Sequence, residues 1–115
     1  MSEKEFEKTL RELGARVYDV KPAWGNHNYH KYFIFPNNLY ALSVVQGEGM
    51  YETKGTYEVA LGVVTSATNY ESFDLIYKEP LDDVLGHQTP KQIVELAKQV
   101  KRFRKRKKWG RVIKW

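Results

Sequence analysis

Residues 29–46 read YHKYFIFPNNLYALSVVQ, and this stretch decides the fold class. Its two halves are rich in aromatic and β-branched residues, which favour extended strands. A Pro-Asn-Asn turn signal at positions 36–38 separates the halves. The stretch therefore predicts an antiparallel hairpin, with one strand over residues 29–35 and the other over residues 39–46.

The sequence beyond the hairpin keeps the same period of two. In TYEVALGVV, residues 56–64, every second residue from the tyrosine onward is large and apolar, which predicts a third strand with one buried face. In SFDLIY, residues 72–77, the alternation predicts a fourth strand whose apolar side holds Phe73, Leu75 and Tyr77. Because the connections are short, we expect an antiparallel, meandering sheet.

A helix is predicted before the sheet. Ser2 is followed three residues later by Glu5, which is a capping-box signature, and apolar residues then recur at helical spacing as far as Gly14. These features predict a helix over residues 3–13. The following RVYDV, residues 16–20, is compatible with a short strand.

A second helix is predicted after a connector at residues 78–88. Thr89 suits the N-cap, Pro90 suits the first helical position, and Gln92 completes a capping box. The apolar stripe of this helix consists of Ile93, Leu96, Ala97, Val100 and Phe103. Like charges at i, i+4 oppose a long helix further on, so we expect fraying past Lys105.

Together these elements predict an α+β fold in the order α-β-β-β-β-α. An antiparallel meander sheet of about four strands would be flanked by an N-terminal and a C-terminal helix, both packed on one face of the sheet. A chain of 115 residues with 42% hydrophobic content fits one domain. We expect residues 1–100 to form that domain and residues 101–115 to form a basic C-terminal helix extension or tail.

The charge is distributed unevenly along the chain. Residues 1–90 contain eight Lys or Arg against thirteen Asp or Glu, a net charge of −5. Residues 91–115 contain eleven Lys or Arg against one Glu, a net charge of +10. An acidic body repels a polyanion, so phosphate binding is expected at the basic end.

The sequence contains no pattern typical of catalysis or of a cofactor. It has no cysteine, no Gly-x-Ser-x-Gly, no phosphate-cradling Gly-Lys loop and no His-Glu-x-x-His. His27 and His30 have metal-ligand spacing but lack a third ligand. We therefore expect a protein that is not an enzyme and that binds no metal or cofactor. The charged N-terminus and the lack of an 18-residue apolar run predict a cytoplasmic protein.

The basic end is the candidate binding site. Its cations would contact phosphates and its tryptophans would stack on bases, with little sequence specificity. The candidate residues are Lys101, Arg102, Arg104, Lys105, Arg106, Lys107, Lys108, Trp109, Arg111, Lys114 and Trp115. The same composition also suits a solvated tail, an anionic membrane surface or an acidic protein, including the body of a second copy in a homodimer.

Four motifs in the body suggest a relationship. They are Ser-Val-Val at 43–45, Gly-x-x-x-Tyr at 47–51, Gly-x-x-Glu-Val-Ala at 55–60 and an Asp-Val-x-Gly-x-x-Thr helix entry at 83–89. In these motifs the segment 38–100 resembles small uncharacterised accessory proteins of tailed bacteriophages. The resemblance implies a phage accessory protein that acts in the host cytoplasm by binding a host or phage macromolecule. It implies no catalytic residues. The alternative to nucleic-acid binding is an accessory or inhibitor protein that docks on a host protein.

Overall fold

The computed structural model describes residues 1–20, 27–47, 55–64 and 73–104, and it confirms the predicted α+β class. A helix precedes an antiparallel sheet, and a second helix follows it. In chain order the elements are α1 (Glu3–Glu12), β1 (Arg16–Asp19), β2 (His27–Phe35), β3 (Tyr40–Gly47), β4 (Tyr57–Val63), β5 (Asp74–Ile76), β6 (Leu85–Gln88) and α2 (Pro90–Lys101).

The sheet has six strands in the described residues, two more than the predicted four. Strands β1 to β5 follow one another across the sheet in chain order, and β6 pairs with β4. The first additional strand is β1, which falls on the segment that the sequence analysis found compatible with a strand. The second is β6, which lies inside the segment that was predicted to be a connector.

The shortness of β6 explains why the sequence did not indicate it. The strand has four residues, and its pairing with β4 is irregular between Tyr57 and Val59. Within it, His87 has a φ of 54°, which breaks the extended conformation. A strand of this kind shows no alternation in its sequence. Because β5 pairs with only the last part of β4, the first part of β4 is left to pair with β6.

Both helix starts agree with the sequence analysis. The Ser2 hydroxyl accepts a hydrogen bond from the Glu5 amide at 3.2 Å, and the Glu5 carboxylate accepts one from the Ser2 amide at 3.1 Å. Thr89 and Gln92 form the same reciprocal pair at 3.3 and 2.8 Å. Gly14 follows α1 with a φ of +105°, a conformation that glycine adopts without steric cost.

The core lies between the two helices and one face of the sheet. Phe33 of β2, Leu42 of β3 and Leu61 of β4 lie side by side in register across that face. They pack with apolar residues of both helices into one cluster. The largest fully buried members include Phe6, Leu10, Phe33, Tyr40, Leu42, Leu61, Leu81 and Ile93.

The apolar side of β5 differs from the prediction. Ile76 is buried in the core cluster, whereas Leu75 and Tyr77 are 47% and 61% exposed. The register explains this result, because Ile76 lies opposite Leu61 and therefore points to the same face as that core residue. The alternation placed Leu75 and Tyr77 on one side of the strand, and the structure shows that this side faces away from the core.

An aromatic row covers part of the opposite face of the sheet. The rings of Tyr18 and Tyr32 stack at a centroid distance of 6.0 Å, and Tyr32 stacks on Phe73 at 4.4 Å. Gly62 lies beneath Phe73, and a Cβ on this glycine would overlap the ring. The row packs with a small second cluster around Ile34.

A polar group joins α1 to the sheet inside the core. The Tyr29 hydroxyl donates to the Glu7 carboxylate at 2.6 Å, and the Lys31 ammonium lies 3.0 Å from the same oxygen. The Tyr57 hydroxyl donates to Glu3 at 2.8 Å. Burial and these carboxylates raise the pKa of Tyr29 and of Tyr57 above the ordinary tyrosine range.

Candidate nucleic-acid interface

The structure describes the first three of the predicted site residues. Lys101 is the last residue of α2, Arg102 is its C-cap with a φ of −86°, and Arg104 ends the described chain. The other predicted site residues lie outside the described residues, as does the fraying expected past Lys105: Lys105, Arg106, Lys107, Lys108, Trp109, Arg111, Lys114 and Trp115.

The basic segment starts from a fixed point, because Asn38 holds the end of α2. The Asn38 amide nitrogen donates to the carbonyl oxygens of Val100 at 2.9 Å, of Phe103 at 3.3 Å and of Lys101 at 3.4 Å. Its amide oxygen accepts from the Tyr40 amide at 3.0 Å. Asn38 is only 3% exposed, so its side chain joins the turn between β2 and β3 to the end of α2.

Phe103 adds an apolar contact just beyond the helix. Its ring packs edge-on against Tyr40 at a centroid distance of 5.0 Å. The Lys78 ammonium lies 5.3 Å from the centroid of the Phe103 ring, within the range of a cation–π contact. Within the described residues, contacts of the folded body therefore continue through Phe103.

The three described site cations are available for a partner. The side chains of Lys101, Arg102 and Arg104 are exposed. Across the part of the chain that the structure describes, none of them forms an ion pair. Each charge is therefore solvated, and an incoming anion would displace only water and counterions.

The exposed side of α2 extends this basic surface. Lys91, Lys98 and Arg102 share one side of the helix, and Glu95 lies between the first two. Glu95 and Lys98 form an exposed ion pair at 3.6 Å. Since exposed pairs contribute little, about 0–1 kcal/mol, this contact leaves Lys98 able to bind another anion.

Two depressions open beside α2 and share Lys98. The larger, of about 600 Å³, is mainly apolar and lies between Met1 and the first turns of the helix. The smaller, of about 440 Å³, lies where the ends of α1 and α2 meet. The described residues that line the smaller depression are Leu13, Lys98, Lys101 and Arg102, and three of these four are basic.

Sequence reasoning missed two parts of this surface. A spacing of seven and four residues places side chains on one side of a helix, so the sequence could have predicted the shared surface of Lys91, Lys98 and Arg102. The contact of Asn38 with the end of α2 had no such signal. It joins residues that are 62 or more positions apart in the sequence.

The described residues contain neither a metal cluster nor a membrane-spanning helix. Among them, no group of three or more His, Asp or Glu side chains is placed to hold a metal ion. No helix within these same residues has both the length and the apolar character needed to cross a bilayer. His30 lies 3.4 Å from the Ser43 hydroxyl and packs against Tyr32, so it belongs to the sheet face.

No family model, curated protein or solved structure matches the chain. The similarity to tailed-bacteriophage proteins therefore stays a prediction from the sequence motifs.

Proposed function

We propose that this chain is a small, non-enzymatic binding protein that contacts nucleic acid through its basic C-terminal segment. The observation that carries the proposal is the charge of that segment and the way it is attached. Asn38 and Phe103 hold the end of α2, and exposed cations without ion pairs within the described residues follow at once. A fixed origin lets the segment follow a phosphate backbone while the acidic body stays away from it.

The proposal includes low sequence specificity and a phage origin. Phosphate contacts position a protein on nucleic acid but do not read its bases, and no base-reading motif is present in the sequence. Trp109 and Trp115 would add stacking on unpaired bases. The resemblance to phage accessory proteins supports action in the cytoplasm of a bacterial host.

The test is a titration of labelled duplex and single-stranded oligonucleotides between 50 and 200 mM salt, measured by fluorescence anisotropy. If five to eight phosphates are contacted, log K is expected to fall against log salt with a slope of about −4 to −7. Changing residues 105–108 to Gln in the full chain is expected to flatten the slope by about three to four units.

The matched control removes four exposed cations from the body, by Lys4→Gln, Lys8→Gln, Arg11→Gln and Arg16→Gln. It changes the net charge equally, and we expect its slope to stay within about one unit of that of the unaltered chain. The proposal fails if the full chain binds neither oligonucleotide at 50 mM salt. It also fails if both variants change the slope equally.

A second candidate function is docking on a host protein. The exposed apolar side chains of Leu75 and Tyr77 favour it. Leu75 lies on β5, which pairs only along one edge in the described sheet, and Tyr77 follows that strand directly. The Leu75→Ser/Tyr77→Ser variant separates the two functions. It is expected to bind oligonucleotides normally while losing any partner captured from a nuclease-treated bacterial lysate.

A further inference from the structure

We infer that the depression between the ends of α1 and α2 binds a backbone phosphate of the nucleic acid, and that Glu95 limits the affinity of this site. The inference rests on the proposed function and adds a site within the folded body. The depression is lined by Leu13, Lys98, Lys101 and Arg102 and has a volume of about 440 Å³.

The balance of charge in the depression favours an anion. Among the described residues, three that line it are basic and none is acidic. Lys98 pairs with the Glu95 carboxylate at 3.6 Å in an exposed contact, and within the described residues no other ion pair involves the three cations. Like charges gathered in one place repel one another, so a phosphate bound among them relieves repulsion as well as gaining attraction.

Cations at the C-terminal end of a helix are often explained by capping of the helix. The hydrogen bonds at this helix end argue against that explanation. Lys98 and Lys101 lie in the last turn of α2, where the helix dipole stabilises positive charge. The carbonyl groups of this turn already accept hydrogen bonds, however. The Val100 and Lys101 oxygens accept from Asn38, and the Gln99 oxygen accepts from the Arg102 amide. The ammonium groups are thus not needed to cap the helix.

The depression also adjoins the basic segment in the sequence. Arg102 lines it, and the exposed Arg104 follows two residues later. One strand could therefore place one phosphate in the depression and the next ones along the segment. A lipid headgroup fits less well, because among the described residues Leu13 is the one apolar side chain that lines the depression, and it is half-buried against the core.

The first experiment uses the full chain with Lys101→Gln and Arg102→Gln together. Both side chains are exposed, and Asn38 contacts only the backbone of Lys101, so folding is expected to be unchanged and is checked by thermal melting. Affinity for the oligonucleotides is expected to fall roughly tenfold at 50 mM salt, with a slope flatter by about one to two units. Lys4→Gln/Lys8→Gln is the matched control.

The second experiment tests Glu95 in the opposite direction. Glu95→Gln frees Lys98 and is expected to raise the affinity about two- to fivefold. Asp82→Asn removes one negative charge from another exposed position and serves as the control, with a change of less than about twofold. Equal effects of the two substitutions would show that only net charge matters, which contradicts a role for Glu95.

A third measurement tests the site separately from the rest of the basic segment. Inorganic tripolyphosphate is expected to raise the melting temperature of the chain in which residues 105–108 are Gln. It is not expected to raise that of the same chain with Lys101→Gln and Arg102→Gln added. One outcome is that the full chain binds nucleic acid while Lys101→Gln/Arg102→Gln, Glu95→Gln and tripolyphosphate all have no effect. That result overturns this inference alone. If the full chain does not bind nucleic acid, the proposed function and the inference both fail. The assignment to nucleic acid is overturned if Lys101→Gln/Arg102→Gln binds phosphatidylserine vesicles more weakly than the unaltered chain does but binds the oligonucleotides equally well.

Discussion

Asn38 joins two distant parts of the chain through one amide side chain. It shapes the turn between β2 and β3 by accepting from the Tyr40 amide, and it donates to carbonyl groups at the end of α2. An asparagine in a turn is expected from local preferences alone. Its burial at 3% exposure is explained only by the helix end that packs against it.

At this scale we predict that Asn38→Ala lowers the free energy of unfolding by about 2 kcal/mol, because buried carbonyl groups lose their donor. Asn37→Ala, in the exposed neighbour of the same turn, is expected to change it by less than about 0.5 kcal/mol. Urea denaturation followed by circular dichroism measures both values. Equal values for the two variants would show that the hydrogen bonds to α2 contribute nothing.

The strand β5 shows how an element depends on its neighbours. Its three described residues include Ile76, which faces the core because it is paired with Leu61. On the other face, Phe73 reaches over Gly62 and stacks on Tyr32 at 4.4 Å. A glycine at this position of β4 leaves room for the ring, so the edge of the sheet is covered without a third layer.

At the scale of the element we predict that Gly62→Ala lowers the free energy of unfolding by about 1–3 kcal/mol, because the new methyl group displaces the Phe73 ring. In a Phe73→Ala background the same substitution is expected to cost less than half as much. This double-mutant cycle, measured by urea denaturation, isolates the contact between the two residues. Additive effects of the two substitutions would contradict it.

For the whole molecule, the attachment of α1 to the sheet depends on protonated tyrosines. Tyr29 and Tyr57 donate to Glu7 and Glu3, and burial together with these carboxylates raises the pKa of each phenol above its ordinary value of 10.0. The pKa of Lys31 is also raised. Burial alone would lower it, and the carboxylates of Glu7 and Asp19 outweigh that effect. All three groups thus keep their protons more tightly in the folded state.

The sign of the resulting pH dependence follows from linkage. Above pH 10 the unfolded chain loses phenol protons that the folded chain retains, so the stability is present below pH 10 and is lost as the pH rises. We predict that the free energy of unfolding falls between pH 9 and pH 11.5 and falls less steeply in Tyr29→Phe. Urea titrations across this range provide the test.

The control for this prediction is Tyr77→Phe. The Tyr77 side chain is 61% exposed and makes no hydrogen bond to a carboxylate within the described residues. We expect its pH dependence to match that of the unaltered chain. A Tyr29→Phe variant that loses stability as steeply as the unaltered chain above pH 10 would show that the phenol of Tyr29 does not contribute.

The sequence by itself determined the α+β class, both helix starts, the central hairpin and the uneven charge. Caps and turns depend on residues three or four apart, and alternation over seven or more residues marks a strand, so each signal is local. Only the tertiary structure decided the buried side of β5, the existence of β6 and the anchoring of α2 by Asn38. These features depend on strand register and on contacts between residues that are distant in the sequence, where local preference contains no information about the partner.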